Sequence, residues 1–298
     1  MPPAGSSGGA ARRRVASSFP GAVGRHWGLQ AVAGSAMRCP NYSDGLFSAW
    51  SAVAGGGAVR FAGITDIGRV RETNEDSYCL EALDDGRELW LLAVADGLGG
   101  CNAGEVASDI AIHALRASLA AGRGGQWPAT LSGAVMAAHA RILERAARGG
   151  ELSGMGTTLT AVVLEGHVAH WGHVGDSRAY ILGAEGIRTL TRDHSVAGRL
   201  VDEGFIDPEA ARQHPQRNVL TQALGFSGTV EVETGSAPLE SGDWLLVTSD
   251  GLTAVVEDQE IVDLAREAGE PLALVERLVA LANARGGPDN ITVLAALG

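Results

Sequence analysis

The feature that most constrains this sequence is an uninterrupted apolar run that ends in an aspartate and then in glycine. Residues 89–95 are all apolar, and Asp96 and Gly97 follow them directly. An apolar run of this length predicts a strand that is buried on both faces. A glycine after the carboxylate lets the backbone come close to whatever the carboxylate binds. The run therefore predicts a core strand that presents Asp96 at its end.

The same arrangement occurs at three further places in the chain. Asp176 follows residues 171–175, Asp250 follows the apolar run that begins at Trp244, and Asp289 stands just before residues 291–294. Like charges that are packed together repel, so a cluster of these carboxylates requires cations. Carboxylates without clustered His or Cys are hard ligands that suit Mg²⁺ or Mn²⁺ better than Zn²⁺. We therefore expect the fold to assemble one acidic metal site.

The periodicity of the remaining chain predicts strands and helices in alternating groups. Strands are predicted at 59–65, 77–82, 89–96, 157–164, 167–174, 178–182, 230–234, 243–248 and 291–296, and helices at 104–121, 129–148, 258–268 and 271–284. Short connections favour antiparallel pairing, and two helix pairs can cover the outer faces of two stacked sheets. The predicted fold class is α+β, a four-layer α-β-β-α sandwich with two mainly antiparallel sheets, in one domain of residues 59–298.

Two segments stand apart from this pattern. Residues 1–58 are rich in Gly, Ala and Ser and have no sustained period. We expect them to be a disordered extension or the product of a start codon placed too far upstream. Residues 193–228 mix short helical pieces with glycine and proline, which indicates a mobile surface subdomain.

Composition excludes several classes of function. The chain contains no lysine, which excludes a phosphate-binding loop that ends in Gly-Lys, a kinase and a Schiff-base enzyme. The formal net charge of -12 argues against a nucleic-acid partner. The cysteines are odd in number and lack metal-site spacing, so we expect a reducing, cytoplasmic location. No stretch approaches the ~18 apolar residues of a membrane span.

The residue types also indicate which reaction a metal site could support. Two divalent ions about 3.5–4 Å apart can bridge a water molecule, lower its pKa and so generate a nucleophile. No cysteine is followed by five residues and an arginine, so the thiol phosphatase loop is absent, and no Asp-x-Asp occurs. The expected attacking group is therefore water.

Six short motifs follow one another along residues 59–297. They are Arg71-Glu72-Thr73-Asn74-Glu75-Asp76, Asp96-Gly97-Leu98-Gly99-Gly100, Gly154-Met155-Gly156-Thr157-Thr158-Leu159, Val174-Gly175-Asp176-Ser177-Arg178, Ser249-Asp250-Gly251-Leu252 and Gly287-Pro288-Asp289-Asn290-Ile291-Thr292. In this order the chain resembles the metal-dependent protein phosphatase 2C family. The subtype resembles the bacterial serine/threonine phosphatases that oppose membrane-linked protein kinases.

The resemblance implies a set of metal ligands. Asp96 would bridge two ions, and the Gly97 carbonyl would bind one of them. Asp250 and Asp289 would complete the second site. Asp176, together with Asp250, would hold a weaker third ion, so the implied cofactors are two or three Mn²⁺ or Mg²⁺ ions.

The resemblance also implies roles for neighbouring residues. Glu75 and Asp76 would orient the waters bound by the metals. Arg71 would bind the phosphate, since a planar guanidinium can hold two oxygens at once. Asn290 would brace the Asp289 loop. Residues 193–228 correspond to the family's flap, which contacts substrate, and we refer to them as the flap segment.

Two positions depart from the family pattern. Animal members have a histidine two residues after the bridging aspartate, proposed as the general acid, whereas this chain has Leu98. The leaving-group proton would then come from a metal-bound water or from another group. Gln222 stands where relatives often have arginine, which could alter the contacts of the flap segment with substrate.

The predicted function is hydrolysis of phosphoserine and phosphothreonine in proteins by a metal-bridging water, with Arg71, Asp96 and Asp250 as the catalytic residues. Phosphoprotein substrates, including a serine/threonine kinase, are the expected partners of a monomeric protein. The alternatives are a non-catalytic scaffold or sensor of the same fold and a hydrolase of small phosphate esters. Taken alone, Asp176 could be a hairpin turn residue, and Arg71 could form a surface ion pair with Glu72 or Glu75.

Overall fold

In the computed structural model of the protein, the apolar run forms β4 (Leu89–Leu98), and residues 90–95 of this strand are buried. The structure describes residues 48–53, 59–84, 89–99, 103–121 and 126–298, the first of these ranges by its backbone alone. The predicted core strand is confirmed, and Asp96 lies close to its carboxyl end.

The strands form two six-stranded layers, in which every strand pair of the described chain is antiparallel. The first sheet has the order β1 (Ser48–Val53), β2 (Arg60–Asp66), β12 (Ile291–Leu297), β11 (Trp244–Thr248), β8 (Arg178–Gly183) and β9 (Gly186–Thr189). The second has the order β10 (Glu233–Pro238), β7 (Val168–Val174), β6 (Leu159–Glu165), β4 and β3 (Asp76–Ala82), and β5 (Gly156–Thr157) pairs with the end of β4. Short connections join the pairs β1–β2, β3–β4, β6–β7 and β8–β9, whereas the other pairs bring together strands that are distant in the sequence.

Helices cover the outer faces of both sheets. Buried side chains of α1 (Ala103–Ala121) and α2 (Trp127–Ala146) share one apolar cluster with the second sheet. Those of α6 (Asp258–Ala268) and α7 (Pro271–Ala284) share another with the first sheet. The short helices are α3 (Val196–Asp202), α4 (Pro208–Arg212) and α5 (Asp250–Thr253), and residues Gly150–Leu152 form a 3₁₀ turn. Within the described chain, every helix is too short or too polar to traverse a bilayer.

A third apolar cluster fills the space between the two sheets. Phe61 of the first sheet stacks on Trp90 of the second, with ring centroids 4.3 Å apart. Leu92, Val247 and Leu294 are fully buried in the same cluster. The two sheets therefore share an interior, and the helix pairs form the outer layers. This confirms the predicted four-layer α-β-β-α sandwich.

Strand β1 lies inside the segment for which no regular structure was predicted. It pairs with β2 from Ser48 opposite Thr65 to Val53 opposite Arg60. The other residues of the predicted 1–58 extension lie outside the described part of the chain. Gly-, Ala- and Ser-rich sequence has little strand propensity of its own, so this pairing depends on the exposed edge of β2 and leaves no local signal.

Strand β10 begins later than predicted, at Glu233 instead of residue 230. Gly235 and Pro238 are weak strand formers, which are tolerated here because β10 is an edge strand. A Cβ atom at Gly235 would lie 2.1 Å from the ring of Trp171, so the tryptophan face requires a glycine there. The position of β10 is therefore determined by its contact with β7, and not by the local sequence pattern.

Leu92→Ala removes a fully buried side chain from the interior that the two sheets share. We expect the free energy of unfolding to fall by about 2–5 kcal/mol, because the sheets cannot collapse around the cavity. Urea denaturation measures the change. Met136→Ala on α2, where the side chain is 38% exposed, serves as the control and should change stability by about 0.5 kcal/mol or less. Equal effects in both variants would contradict the assignment of this core.

Candidate active site

The sandwich brings the predicted aspartates to one end of the two sheets. Asp96 lies near the end of β4, and Asp176 lies in the turn between β7 and β8. Asp250 begins α5 after β11, and Asp289 precedes β12. Because neighbouring strands are antiparallel, the carboxyl end of β11 and the amino end of β12 meet at the same edge.

The strand backbone fixes the position of Asp96. Asp96 lies directly opposite Asp76 in the pairing of β4 with β3. Its N–H donates to Thr158 Oγ1 over 2.9 Å, and its carbonyl accepts from Thr157 Oγ1 over 2.8 Å. The carboxylate is therefore carried on a backbone that is hydrogen-bonded on both sides, and only its side-chain torsions remain free.

Electrostatics show that the acidic groups share one neighbourhood. Burial raises the pKa of Asp96 well above its usual range, and nearby carboxylates raise it further. These carboxylates are, in decreasing order of effect, Asp76, Asp250, Asp176 and Asp289. Such mutual repulsion is the signature of like charges in one poorly solvated site, so the predicted convergence is present.

Asp76 is buried beneath this cluster. Its Oδ2 atom accepts from Ser249 Oγ over 2.7 Å and from Thr292 Oγ1 over 2.6 Å. Burial raises the pKa of Asp76 to about 7, and the Asp250 charge adds to this rise, whereas the two hydroxyl donors oppose it. Its Oδ1 atom is buried and has no hydrogen-bond partner among the described residues. One oxygen of Asp76 is thus anchored, and the other is unsatisfied.

Asp250 has the same unsatisfied character. Its Oδ1 atom is buried and lacks a hydrogen-bond partner within the described ranges. Burial raises the pKa of Asp250 to about 6, and the Asp289 charge raises it as well, while a hydrogen bond with Asp96 lowers it. Asp96 and Asp250 therefore influence the ionisation of each other.

Gly97 allows the backbone around Asp96 to lie against the start of α1. A Cβ atom at this position would be 2.3 Å from the Gly104 carbonyl oxygen and 2.7 Å from that of Glu75. The Gly97 N–H donates to the Glu75 carbonyl over 3.2 Å. The sequence predicted a close approach of the backbone at this glycine. In the structure, the approaching groups are the backbone carbonyls of Gly104 and Glu75, which leave no room for a side chain at position 97.

Asn290 ties the Asp289 loop to the loop that precedes β3. Its Nδ2 donates to the carbonyls of Ile67 and Thr73 over 3.0 and 2.9 Å, and its Oδ1 accepts from the Glu75 N–H over 2.9 Å. Asn290 is 4% exposed, so these three bonds satisfy a buried amide. The contacts match the bracing position that was predicted for Asn290.

Arg71 forms an ion pair, but with neither of the partners considered from sequence. Its Nη2 donates to Asp289 Oδ2 over 2.7 Å. The Arg71 side chain is 48% exposed and that of Asp289 is 27% exposed. Glu72 and Glu75 lie closer to Arg71 in the sequence, but the tertiary fold places Asp289 beside the Arg71 guanidinium. Arg71 consequently presents a guanidinium at the rim of the acidic cluster.

Asp176 faces a cavity of about 460 Å³ beside the cluster. Asp250 also lines this cavity, and residues of the flap segment, of α5 and of the start of α6 form its walls. Burial raises the pKa of Asp176 well above its usual range. The charges of Asp250 and Asp193 raise this pKa further, whereas the charge of Arg178 lowers it. Asp176 is therefore part of the acidic neighbourhood, in addition to being a turn residue.

The aspartates are gathered less tightly than a trio that the sequence did not predict. In the described part of the chain, ligand atoms of His173, His194 and Glu233 all lie within 4.8 Å of one another. His173 uses both ring nitrogens elsewhere, since Nδ1 contacts Thr160 Oγ1 at 2.8 Å and Nε2 contacts the Arg192 carbonyl at 3.0 Å. Burial lowers the pKa of His173 to about 3. This trio of two imidazoles and one carboxylate offers a cation no complete set of free ligands, because both ring nitrogens of His173 are already engaged.

Comparisons with known proteins agree with this geometry. Residues 69–284 match the family described as protein phosphatase 2C.

The chain belongs to the protein phosphatase 2C family.

Individual members of the family show the extent of the likeness. Serine/threonine protein phosphatase PstP of Mycobacterium tuberculosis is 40% identical over 238 residues, which cover 80% of this chain and 45% of that protein. Serine/threonine phosphatase stp of Listeria welshimeri is 38% identical over 237 residues, which cover 77% of this chain and 92% of that protein. The chain thus spans less than half of the mycobacterial protein and nearly all of the listerial one.

A solved structure extends the likeness to the whole sandwich. The crystal structure of the catalytic domain of PstP in complex with two manganese ions has a TM-score of 0.70 and 38% sequence identity to this chain. The matched region covers 80% of this chain and 97% of the PstP chain in that crystal structure.

The side chains of this protein phosphatase 2C family member fit a hard divalent cation. The converging donors are carboxylate oxygens, which Mg²⁺ and Mn²⁺ prefer. Asp76 and Asp250 each keep a buried oxygen without a partner within the described residues. Burial raises the pKa values of Asp96 and Asp250, and repulsion from neighbouring carboxylates adds to the rise. A positive ion would reverse this repulsion.

Hydroxyl groups at this site were missed from sequence. The Thr158 hydroxyl accepts a hydrogen bond from the Asp96 N–H, and the hydroxyls of Ser249 and Thr292 donate hydrogen bonds to the Asp76 carboxylate. All three are fully buried. A local signal existed, because Ser249 directly precedes Asp250 and Thr292 follows Asn290 by two residues, but their partners lie in distant parts of the chain.

In metal-free protein, stability should depend on the ionisation of Asp76. Its folded pKa of about 7 lies above the value of ~3.9 expected for an unfolded chain. Between these values the folded protein binds more protons, so this group makes stability fall as pH rises from about 4 to about 7. Asp76→Asn cannot ionise, and we expect its thermal midpoint in EDTA to fall less steeply with pH.

Thermal unfolding monitored by circular dichroism at about pH 5 and about pH 7.5 measures this difference. Asp263→Asn, which changes an exposed carboxylate on α6, is the control and should keep the wild-type slope. Identical slopes in wild type and Asp76→Asn would show that Asp76 does not titrate in this range.

Proposed function

We propose that this chain is a metal-dependent protein phosphatase that hydrolyses phosphoserine and phosphothreonine. The observation that carries the proposal is the convergence of Asp96, Asp176, Asp250 and Asp289 on one neighbourhood that contains buried carboxylate oxygens without partners in the described chain. Membership of the protein phosphatase 2C family and the names of the relatives support the substrate class.

The ions are assigned to the residues that the fold gathers. Asp96 and the Gly97 carbonyl, with Asp250 and Asp289, would hold two Mn²⁺ or Mg²⁺ ions, and Asp176 with Asp250 would hold a third. When bound, such ions act as Lewis acids that activate water and polarise phosphoryl oxygens. The related PstP catalytic domain was solved with two manganese ions, which supports Mn²⁺ as a cofactor of this chain.

Arg71 is assigned to the phosphate. Its guanidinium lies half-exposed beside Asp289, so it can reach a substrate oxygen at the rim of the site. A planar guanidinium can donate to two phosphoryl oxygens together. It would stabilise the negative charge that develops on these oxygens during transfer.

The remaining residues orient the site. Glu75 and Asp76 are assigned to positioning water, since both are buried carboxylates next to the cluster. Asn290 holds the loop that carries Asp289 through its three hydrogen bonds. Leu98 provides no proton, so the leaving group must be protonated by water or by another group.

The wider assignment follows from the same proposal. The catalytic domain comprises residues 59–298, and the flap segment, residues 193–228, contacts the phosphoprotein. Strand β1 extends the first sheet of this domain, and the other residues of the predicted 1–58 extension lie outside the described part of the chain. We further propose that the protein acts as a monomer in the cytoplasm and that a serine/threonine kinase is among its substrates. The names of the bacterial relatives support only the broader class of phosphoprotein substrates.

Asp96→Asn and Asp250→Asn should each lower Mn²⁺-dependent hydrolysis of p-nitrophenyl phosphate and of a phosphothreonine peptide by more than about 100-fold, the upper end of the loss seen for residues that only orient a ligand. Each substitution removes a negative charge and keeps the shape of the side chain. Steady-state kinetics measures the loss, and circular dichroism confirms the fold.

Asp263→Asn is the matched control for these variants and should retain full activity, because it changes an exposed carboxylate that is not one of the converging acidic residues. EDTA should abolish wild-type activity, and added Mn²⁺ should restore it. A folded wild-type protein with no metal-dependent turnover would instead favour a non-catalytic scaffold.

Arg71→Lys should lower kcat/KM for a phosphopeptide by about 10–100-fold, because hydrogen bonds to charged groups contribute about 1.5–3 kcal/mol. Lysine keeps the charge but cannot hold two oxygens in one plane. Stability should change by about 1 kcal/mol or less, since the Arg71–Asp289 pair is exposed.

Arg69→Lys provides the control on the same loop. The Arg69 N–H donates to the Gly287 carbonyl over 2.8 Å, a backbone bond that this substitution keeps. Its kcat/KM should equal that of the wild type. A similar loss in both variants would mean that loop structure, and not phosphate binding, explains the effect of Arg71→Lys.

A further inference from the structure

A two-bond ion pair joins the Asp176 turn to the start of the flap segment. Arg178 Nε donates to Asp193 Oδ1 over 2.7 Å, and Arg178 Nη2 donates to Asp193 Oδ2 over 2.6 Å. The third nitrogen, Nη1, contacts the buried Tyr180 hydroxyl at 3.1 Å. Arg178 stands two residues after Asp176, and Asp193 is the first residue of the flap segment.

The pair is largely shielded from solvent. The Arg178 and Asp193 side chains are 22% and 21% exposed, and both line the cavity that Asp176 faces. Shielded ion pairs contribute little net stability compared with apolar residues of the same size. Their strength lies in fixed geometry, because the two parallel hydrogen bonds set the relative position of the two chain segments.

A second set of bonds joins the same two segments. The His194 N–H donates to the Gly175 carbonyl over 2.7 Å, and the Gly175 N–H donates to His194 Nδ1 over 3.2 Å. Gly175 has φ +120°, and a Cβ atom there would lie 2.5 Å from Thr158. Gly175, which precedes Asp176, is therefore bonded to His194, and Arg178, two residues after Asp176, is bonded to Asp193.

The opposite side of the Asp176 turn is bonded to the Asp96 strand. Ser177 Oγ contacts Thr158 Oγ1 at 2.9 Å, and Thr158 Oγ1 accepts from the Asp96 N–H. The turn that carries Asp176 thus lies between a rigid core strand and the flap segment. Any shift of the flap segment at Asp193 acts on this turn directly.

We propose that Arg178 and Asp193 are positioning residues, which hold the Asp176 turn and the start of the flap segment as one unit. Cation binding at Asp176 and seating of a phosphoprotein on the flap segment then depend on each other. The inference rests on the proposed function, because it takes Asp176 as a ligand and the flap segment as the substrate contact.

The chain contains a matched control for this pair. Arg116 Nε and Nη2 donate to Glu81 Oε1 and Oε2 over 2.7 and 2.6 Å, with side chains 27% and 15% exposed. This pair has the same geometry and similar shielding, but it joins α1 to β3. Glu81→Gln and Asp193→Asn therefore remove equivalent ion pairs, and only the second lies at the flap segment.

Amide hydrogen exchange of metal-free protein tests the structural half of the proposal. In Asp193→Asn, peptides from residues 172–178 and 193–228 should exchange faster than in the wild type, whereas in Glu81→Gln they should not. Arg178→Lys keeps the charge and loses the paired donors, and it should behave as Asp193→Asn does. If amide exchange at residues 172–178 is unchanged in both Asp193→Asn and Arg178→Lys, the proposal is wrong.

Mn²⁺ titration followed by electron paramagnetic resonance tests the functional half without turnover. The weakest Mn²⁺ site should lose affinity about 10-fold in Asp193→Asn, as expected for a residue that orients a ligand, and it should be unchanged in Glu81→Gln. At saturating Mn²⁺, KM for a phosphopeptide should rise in Asp193→Asn, whereas KM for p-nitrophenyl phosphate should not.

A merely structural role predicts a different result. If Asp193→Asn lowers the thermal midpoint as Glu81→Gln does and leaves Mn²⁺ affinity and phosphopeptide KM unchanged, the positioning role is wrong. Failure of the proposed function is separate, since it would appear as wild-type protein without Mn²⁺-dependent turnover. The exchange experiment keeps its meaning in that case, because it uses no metal and no substrate.

Discussion

Repulsion among the buried carboxylates is the constraint on which the rest of the structure depends. Asp76, Asp96 and Asp250 lie in one poorly solvated neighbourhood, and each has a raised pKa because burial and the neighbouring charges disfavour ionisation. Groups that repel one another do not assemble unless a larger favourable term holds them. Here that term is burial of apolar surface in three clusters, one between the sheets and one under each helix pair. The sandwich core therefore supplies the free energy that keeps the acidic site together.

Placement of the site follows from how each acidic residue is attached to that core. Asp96 sits on β4, which pairs with a strand on each side, and the Asp76 carboxylate is fixed by two buried hydroxyl groups. Asn290 attaches the Asp289 loop through backbone groups of the loop before β3. In each case the hydrogen bonds go to backbone or to short hydroxyl side chains, which have few torsions to lose. The carboxylates are thus presented in position before any ligand arrives, which is the condition for efficient electrostatic catalysis.

The sequence was sufficient for features that are local in the chain. The buried strand and Asp96 could be predicted because consecutive residues of the chain encode them. Both C-terminal helices, Asp258–Ala268 and Pro271–Ala284, begin and end where their sequence patterns predict. Features that depend on distant partners could not be predicted. Strand β1 exists through the edge of β2, and the partner of Arg71 is Asp289, from the other end of the domain. The same limit applies to hydroxyl groups such as Thr292, because a threonine in a strand reveals nothing about the carboxylate above it.

The two sides of the site are held by different kinds of interaction, and this difference has a consequence for substrate recognition. Asp96 and Asp250 are attached to strands with fully buried apolar side chains, whereas α3 and α4 of the flap segment bury one residue between them, Ala197. Polar contacts hold these two helices instead, among them the bond from Arg212 Nη2 to the Val256 carbonyl at 2.9 Å. Regions with few buried apolar contacts open at lower free energy than the core does. Under the proposed function, α3 and α4 can therefore adjust to a protein surface while Asp96 and Asp250 stay fixed, which separates the choice of substrate from the core of the acidic site.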